Sequence, residues 1–206
     1  RDLSLSYGRL GDIAVSEGKL FEAKKYYLKD LNISEAIANK TGTIEARRDL
    51  SVSYNRLGDV SISEGNLTQA KEYYLKSLNI NGIVANETNS LEAFRGLVSN
   101  YINLGNVSIY EGNLTEAKEF YLKSLNVCET ITNEINTIQA RRDLSVCYEN
   151  LGNVSTSEGN LTEAKDYYLN CLNIRDSIAN DSGTIKARRD LAVGYIKLGE
   201  ICESDS

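Results

Sequence analysis

The chain contains no histidine, no proline, no methionine and no tryptophan in 206 residues. Without histidine it lacks the usual general base at neutral pH, so a Ser-His or Cys-His nucleophile is excluded within this sequence and enzymatic activity is not expected. Without proline, nothing imposes a kink on a long helix. Cys128, Cys147, Cys171 and Cys202 show no Cys-x-x-Cys spacing, so no metal site is expected, and no cofactor is assigned. Apolar runs are only a few residues long, which excludes insertion into a membrane. Basic residues number 23 against 29 acidic ones, and a net charge of -6 with a pI near 4.9 repels phosphate backbones, so nucleic acid is not an expected partner. No leader sequence or lipidation motif is recognisable.

What the chain does have is repetition. Arg1-Asp2-Leu3-Ser4 returns as Arg48-Asp49-Leu50-Ser51, loosely as Arg95-Gly96-Leu97-Val98, then as Arg142-Asp143-Leu144-Ser145 and Arg189-Asp190-Leu191-Ala192, a fixed period of 47 residues. The units are 1-47, 48-94, 95-141 and 142-188, with a partial fifth at 189-206, and they are expected to form a single repeat array over 1-206. Because the chain starts inside one repeat and stops inside another, it reads as a segment of a longer protein. A unit of this size buries its apolar face only against its neighbours, and with 41% hydrophobic residues there is enough apolar material for a continuous core.

Inside each unit the apolar period is helical. Leu50, Tyr54, Leu57, Gly58 and Val60 fall at three- and four-residue steps and define a helix A from about Thr43 to Glu64. Gly65 stops it, as a left-handed residue after a helix does. Asn66, Asn113 and Asn160 each stand three residues before a Gln or Glu, the pattern of a capped helix start, and helix B follows from Leu67 to about Asn86. Polar stretches around Asn39-Lys40-Thr41-Gly42 and Asn180-Asp181-Ser182-Gly183 are expected to be exposed loops joining helix B to the next helix A. The closing helix A is expected from about Thr184 to Glu203.

The run Tyr54-x-x-Leu57-Gly58-x-x-Ser61-x-x-x-Gly65-x-Leu67-x-x-Ala70-x-x-x-Tyr74-x-x-Ser77-Leu78 resembles the tetratricopeptide repeat, and the match recurs around Tyr7, Tyr101 and Tyr148. The family unit has 34 residues, and the longer unit here is similar to the long-helix, kinesin light chain type. The resemblance implies an all-α, right-handed α-solenoid of antiparallel helix pairs. It also implies a partner peptide or protein bound on the concave surface lined by helix A. Carried over by position, the groove candidates are Asn55, Asp59, Ile62, Ile102, Asn106, Ile109, Tyr110, Glu149 and Asn153. Ile102, Ile109 and Tyr110 are its best anchors. The family's clamp for C-terminal carboxylates combines Lys with Asn on this stripe, and the lysines are missing here.

The remaining features have structural readings. Gly11, Gly58, Gly105 and Gly152 are small so that helices A and B can approach, with Tyr74 and its counterparts beside them. The cysteines are expected to be buried thiols at small-residue sites, and Cys128 and Cys147, near-symmetric about a joining loop, are close enough for a disulfide to be conceivable. The arginine pairs that open helix A, such as Arg47-Arg48, call for nearby carboxylates.

Nine of the 21 asparagines lie in Asn-x-Ser/Thr sequons, more than chance placement gives. Asn39, Asn86 and Asn180 are the accessible sites for glycosylation and Asn66, Asn113 and Asn160 the cap sites. The favoured function is therefore a non-catalytic protein-protein interaction scaffold, cytoplasmic by preference. The alternative is a secreted, N-glycosylated repeat protein that stacks end to end into a fibre through exposed Leu3, Tyr7, Leu191 and Tyr195.

Overall fold

A computed structural model describes residues 1-204. The helices are α1 (Asp2–Ser16), α2 (Leu20–Thr41), α3 (Ile44–Ser63), α4 (Leu67–Thr88), α5 (Leu91–Tyr110), α6 (Leu114–Ile135), α7 (Ile138–Ser157), α8 (Leu161–Ser182) and α9 (Ile185–Ser204). Among the described residues there is no strand, and no helix is long and apolar enough to cross a membrane. The chain packs as two compact units, Arg1–Glu111 with α1 to α5 and Gly112 onward with α6 to α9. In each, a helix packs chiefly on the helices next to it in the chain.

The chain reverses at two kinds of turn, and local chemistry fixes both. After α3, Glu64 closes the helix, Gly65 takes φ +74°, and the Asn66 amide returns to the Ser61 carbonyl at 2.8 Å. Asn66 then caps α4 by accepting from the Gln69 amide, and Asn160 does the same for α8 through Glu163. The second turn is shorter than the sequence suggested. Gly42, Asn89 and Gly183 take the left-handed conformation only after α2, α4 and α8 have run on to Thr41, Thr88 and Ser182, and each returns its amide to a carbonyl four residues back. Asn39, Asn86 and Asn180 therefore lie in the last turns of helices instead of in loops, although all three are exposed.

The core of the first unit joins Ala23, Tyr27, Leu31, Tyr54, Leu57 and Val60. A Cβ at Gly11 or Gly58 would overlap the ring of Tyr27 or Tyr74, and one at Gly152 the ring of Tyr168, so these glycines let each A helix meet the tyrosine of its own B helix. Ion pairs join successive repeats: Lys24 to Glu64 at 2.5 Å, Lys71 to Glu111 at 3.2 Å and Lys118 to Glu158 at 2.8 Å. The paired arginines find their carboxylates, Arg47 on Glu87, Arg48 on Glu92 and Arg141 on Asp181.

Where helix B meets the next helix A, one pair of positions is buried and changes chemistry at every occurrence. Between α2 and α3 it is Ser34 and Ser53, grouped with Ser4 around the buried Asp30. Between α4 and α5 it is Asn81 and Asn100, at 2.7 Å, with Asn100 donating onward to Asn55. Between α6 and α7 it is Cys128 and Cys147, free thiols whose sulfurs lie 3.2 Å apart. The hydrogen bond with the Cys147 thiol, together with burial, holds Cys128 well above the usual thiol range. Between α8 and α9 it is Arg175, whose guanidinium reaches Glu149, against Gly194. Cys171 is buried as expected, and burial pushes its thiol up to about 11, whereas Cys202 is exposed because it lies on the outer face of α9.

Candidate functional site

The helix A stripe sorts the groove candidates into those that face solvent and those that the fold consumes. Asn55 accepts from Asn100, Glu149 holds Arg175, and Asn153 accepts from Tyr168 at 2.8 Å. Ile102 and Ile109 are half-buried. Asp59, Ile62, Asn106 and Tyr110 are brought together. They line a cavity of about 250 Å³ on the first unit, completed by Asn103 and Tyr74. Tyr110, 63% exposed, is its accessible aromatic wall.

Asp59 is open to solvent at the cavity mouth and walled by protein, and the walls govern its charge. Burial raises its carboxyl above the ordinary aspartate value, against the lowering effect of the Tyr74 hydroxyl, which donates at 2.6 Å. Burial, with the same bond, pushes the Tyr74 phenol far above its usual range. Tyr74 and Asn103 were absent from the sequence-derived groove. Tyr74 reads in sequence as packing only, and it does pack, under Gly58; its hydroxyl nevertheless reaches the cavity floor. Asn103 carries a signal in its alignment with Arg56, a long cation in the preceding repeat.

A second cavity, of about 200 Å³, lies among α7, α8 and α9 beside Arg142, Arg175, Ile178, Lys186 and Asp190. Its two arginines are matched, Arg175 by Glu149 and Arg142 by Asp190. Among the described residues no group of histidine, cysteine or acidic side chains could hold a metal ion.

Helix pairs repeating every 47 residues, joined by two recurring kinds of turn, define a helical-repeat protein. The tetratricopeptide repeat is the repeat in question: its sequence models match residues 52–82 and 98–130 and, in a second form, 144–179. The structure is similar to BtubC (BKLC) from P. vanneervenii, with a TM-score of 0.74 and 19% identity over 95% of this chain and 70% of that one. It is also similar to the apo form of RapI, with a TM-score of 0.73 and 15% identity over 98% of this chain and 64% of that one, so it spans just under two thirds of RapI. At these identities the likeness is one of fold, an all-α solenoid of tetratricopeptide type. No curated protein matches the sequence.

Proposed function

We propose that the chain is a non-catalytic protein-interaction scaffold that binds a partner peptide or protein on the helix A surface of its repeats. The observation that carries this is the cavity around Asp59. It gathers an acidic group, an amide, an aliphatic side chain and an exposed tyrosine from α3 and α5 at positions that vary between otherwise similar units. The packing positions, by contrast, stay constant, as Gly11, Gly58 and Gly152 do. Tetratricopeptide repeats in general are non-catalytic and support protein partners, which agrees. The test is a peptide-array binding assay with purified wild type and an Ile109→Ser/Tyr110→Ser double variant. Peptides retained by the wild type are expected to be lost from the variant while its helical circular dichroism is unchanged. Equal retention by both would remove the groove from this face.

The second reading, a secreted glycosylated fibre, draws on the exposure of Asn39, Asn86 and Asn180 and on apolar side chains left open on the terminal helices. Leu3 and Tyr195 are exposed there. Tyr7, stacked on Tyr26, and Leu191, packed with Ile178 and Ala187, are half-buried and offer less to a stacking surface. Mass spectrometry of natively sourced material before and after glycosidase treatment, with electron microscopy, separates the two. Free asparagines and discrete particles support the scaffold, and glycan mass with long fibres supports the fibre.

A further inference from the structure

Asp12 and Asp59 occupy the same place in successive repeats, as do Tyr27 and Tyr74, and each tyrosine hydroxyl donates to its aspartate, at 2.8 and 2.6 Å. One difference lies in what faces them from the following helix A. Facing Asp12 is Arg56, whose Nη2 is 3.1 Å from the Asp12 carboxylate and whose guanidinium lies 5.8 Å from the centre of the Tyr27 ring. Facing Asp59 is Asn103, which stands at the position of Arg56 one period later and is shorter and uncharged. The space that Arg56 fills in the first case is the cavity in the second. Among the described residues, the Asp59 carboxylate accepts from Tyr74 and has no cation within ion-pair distance.

We propose that this cavity takes the guanidinium of an arginine side chain from a peptide segment of a partner protein. The preceding repeat supplies the template, since the chain's own arginine already satisfies the same aspartate and lies over the same tyrosine there. Charge complementarity points the same way, because a carboxylate without a counter-ion selects for an incoming cation. Guanidinium fits better than ammonium. Its planar fork can donate to the Asp59 carboxylate and the Asn103 amide oxygen together, and its weaker hydration suits stacking on the open face of Tyr110. The proposal rests on the reading of this face as the binding surface and names the group that the face selects.

The test uses the whole chain, isotopically labelled, and two probes: acetyl-arginine N-methylamide and its neutral, isosteric citrulline counterpart. The arginine probe is expected to move the backbone amide resonances of Asp59, Ile62, Asn103 and Tyr110 saturably, with the citrulline probe at least about tenfold weaker. Asp59→Asn and Asn103→Arg are each expected to abolish the response. Asp59→Asn keeps the Tyr74 bond, as Asn153 accepts from Tyr168 at 2.8 Å in the equivalent place, and Asn103→Arg restores the residue that faces Asp12 one repeat earlier, with Asn55 and Ser77 standing where Gly8 and Asp30 meet Arg56. Thermal melts check this for each variant.

Equal responses to the two probes, or an undiminished response in Asn103→Arg, would overturn the assignment. If no peptide binds the face at all, the scaffold reading fails while the probe titration still decides the chemistry of the cavity. If peptides bind wild type and Asn103→Arg alike, the scaffold stands and the arginine site falls. Self-association of the chain that Asn103→Arg abolishes would make the occupant a second copy and overturn the partner segment.

Discussion

The α4–α5 and α6–α7 contacts use the same repeat positions to opposite chemical ends. One buries two amides that satisfy each other and reach on to Asn55. The other buries two thiols, with Ser124 beside Cys147 at 3.2 Å. The amide pair is larger, and the sequence makes room for it. Asp2, Asp49, Asp143 and Asp190 mark one position in four repeats, but the remaining residue of that set is Gly96, where an added Cβ would come within 2.8 Å of Asn81 Nδ2. Arg175 is larger still, and its partner shrinks to Gly194, whose Cβ would meet Leu172 at 3.0 Å. Each contact is thus matched in both polarity and volume, so units that are alike in their exposed caps and glycines are not interchangeable at their joints.

The sharpest way to break that comparison is at the joint that holds a charge. Asp30, 2% exposed, accepts from Ser4, Ser53 and Arg56. Asp30→Ala should destabilise the chain by about 3 to 5 kcal/mol in urea melts, because it strands the arginine and the hydroxyls. Asp30→Ser, the residue found at Ser77 and Ser124, should recover part of the loss. A change below about 1 kcal/mol for Asp30→Ala would mean that the network contributes little.

A smaller effect is expected at the amide joint. Asn81→Leu leaves Asn100 buried without its donor and should cost about 1 to 3 kcal/mol, whereas the double variant with Asn100→Leu should cost less than the sum of the singles. Additive losses in that cycle would show that the two amides act independently.

The smallest effect concerns Asp59 against its neutral counterparts Asn106 and Asn153. Its carboxyl is raised in the folded chain, so the fold holds that proton more tightly than the unfolded chain does. Stability then falls as pH rises from the ordinary aspartate value through the raised one. Asp59→Asn is accordingly expected to raise the melting temperature slightly at pH 7, with the gain vanishing below about pH 4. A gain that persists in acid would place its cause elsewhere.

The helices and caps were legible in the sequence because each rests on a local rule. Gly65 needs positive φ, Asn66 caps the amide of Gln69, and Leu57 keeps the helical step. The ends of the B helices were misjudged because Asn39 and Asn180 suit a turn as well as a last helical turn, and the glycine three residues on decides between them. The joints were not legible for a different reason. Asn81, Asn100, Asp30 and Arg175 are polar, and polarity alone places them outside. Their burial follows from pairing across 19 to 26 residues of chain, as in Asn81 with Asn100 and Asp30 with Arg56. The signal was present all the same: the two positions change together from Ser and Ser to Asn and Asn to Cys and Cys. Of the cavity lining, Asp59, Ile62, Asn106 and Tyr110 were reached by carrying the stripe of helix A over from the family resemblance, position by position. That Asn55 and Glu149 are consumed internally depends on partners in other helices.

The matched joints also bear on how such an array can lengthen. A tandem duplication of residues 48-94, in frame with the 47-residue period, would keep every turn and cap intact. At the new seam, however, Asn81 would face a second Ser53 in place of Asn100, and a second Asp49 would stand where Gly96 now makes room. The copied unit would carry a buried amide without its partner and a side chain without space. Growth by copying this unit would then require at least two further substitutions at the new seam.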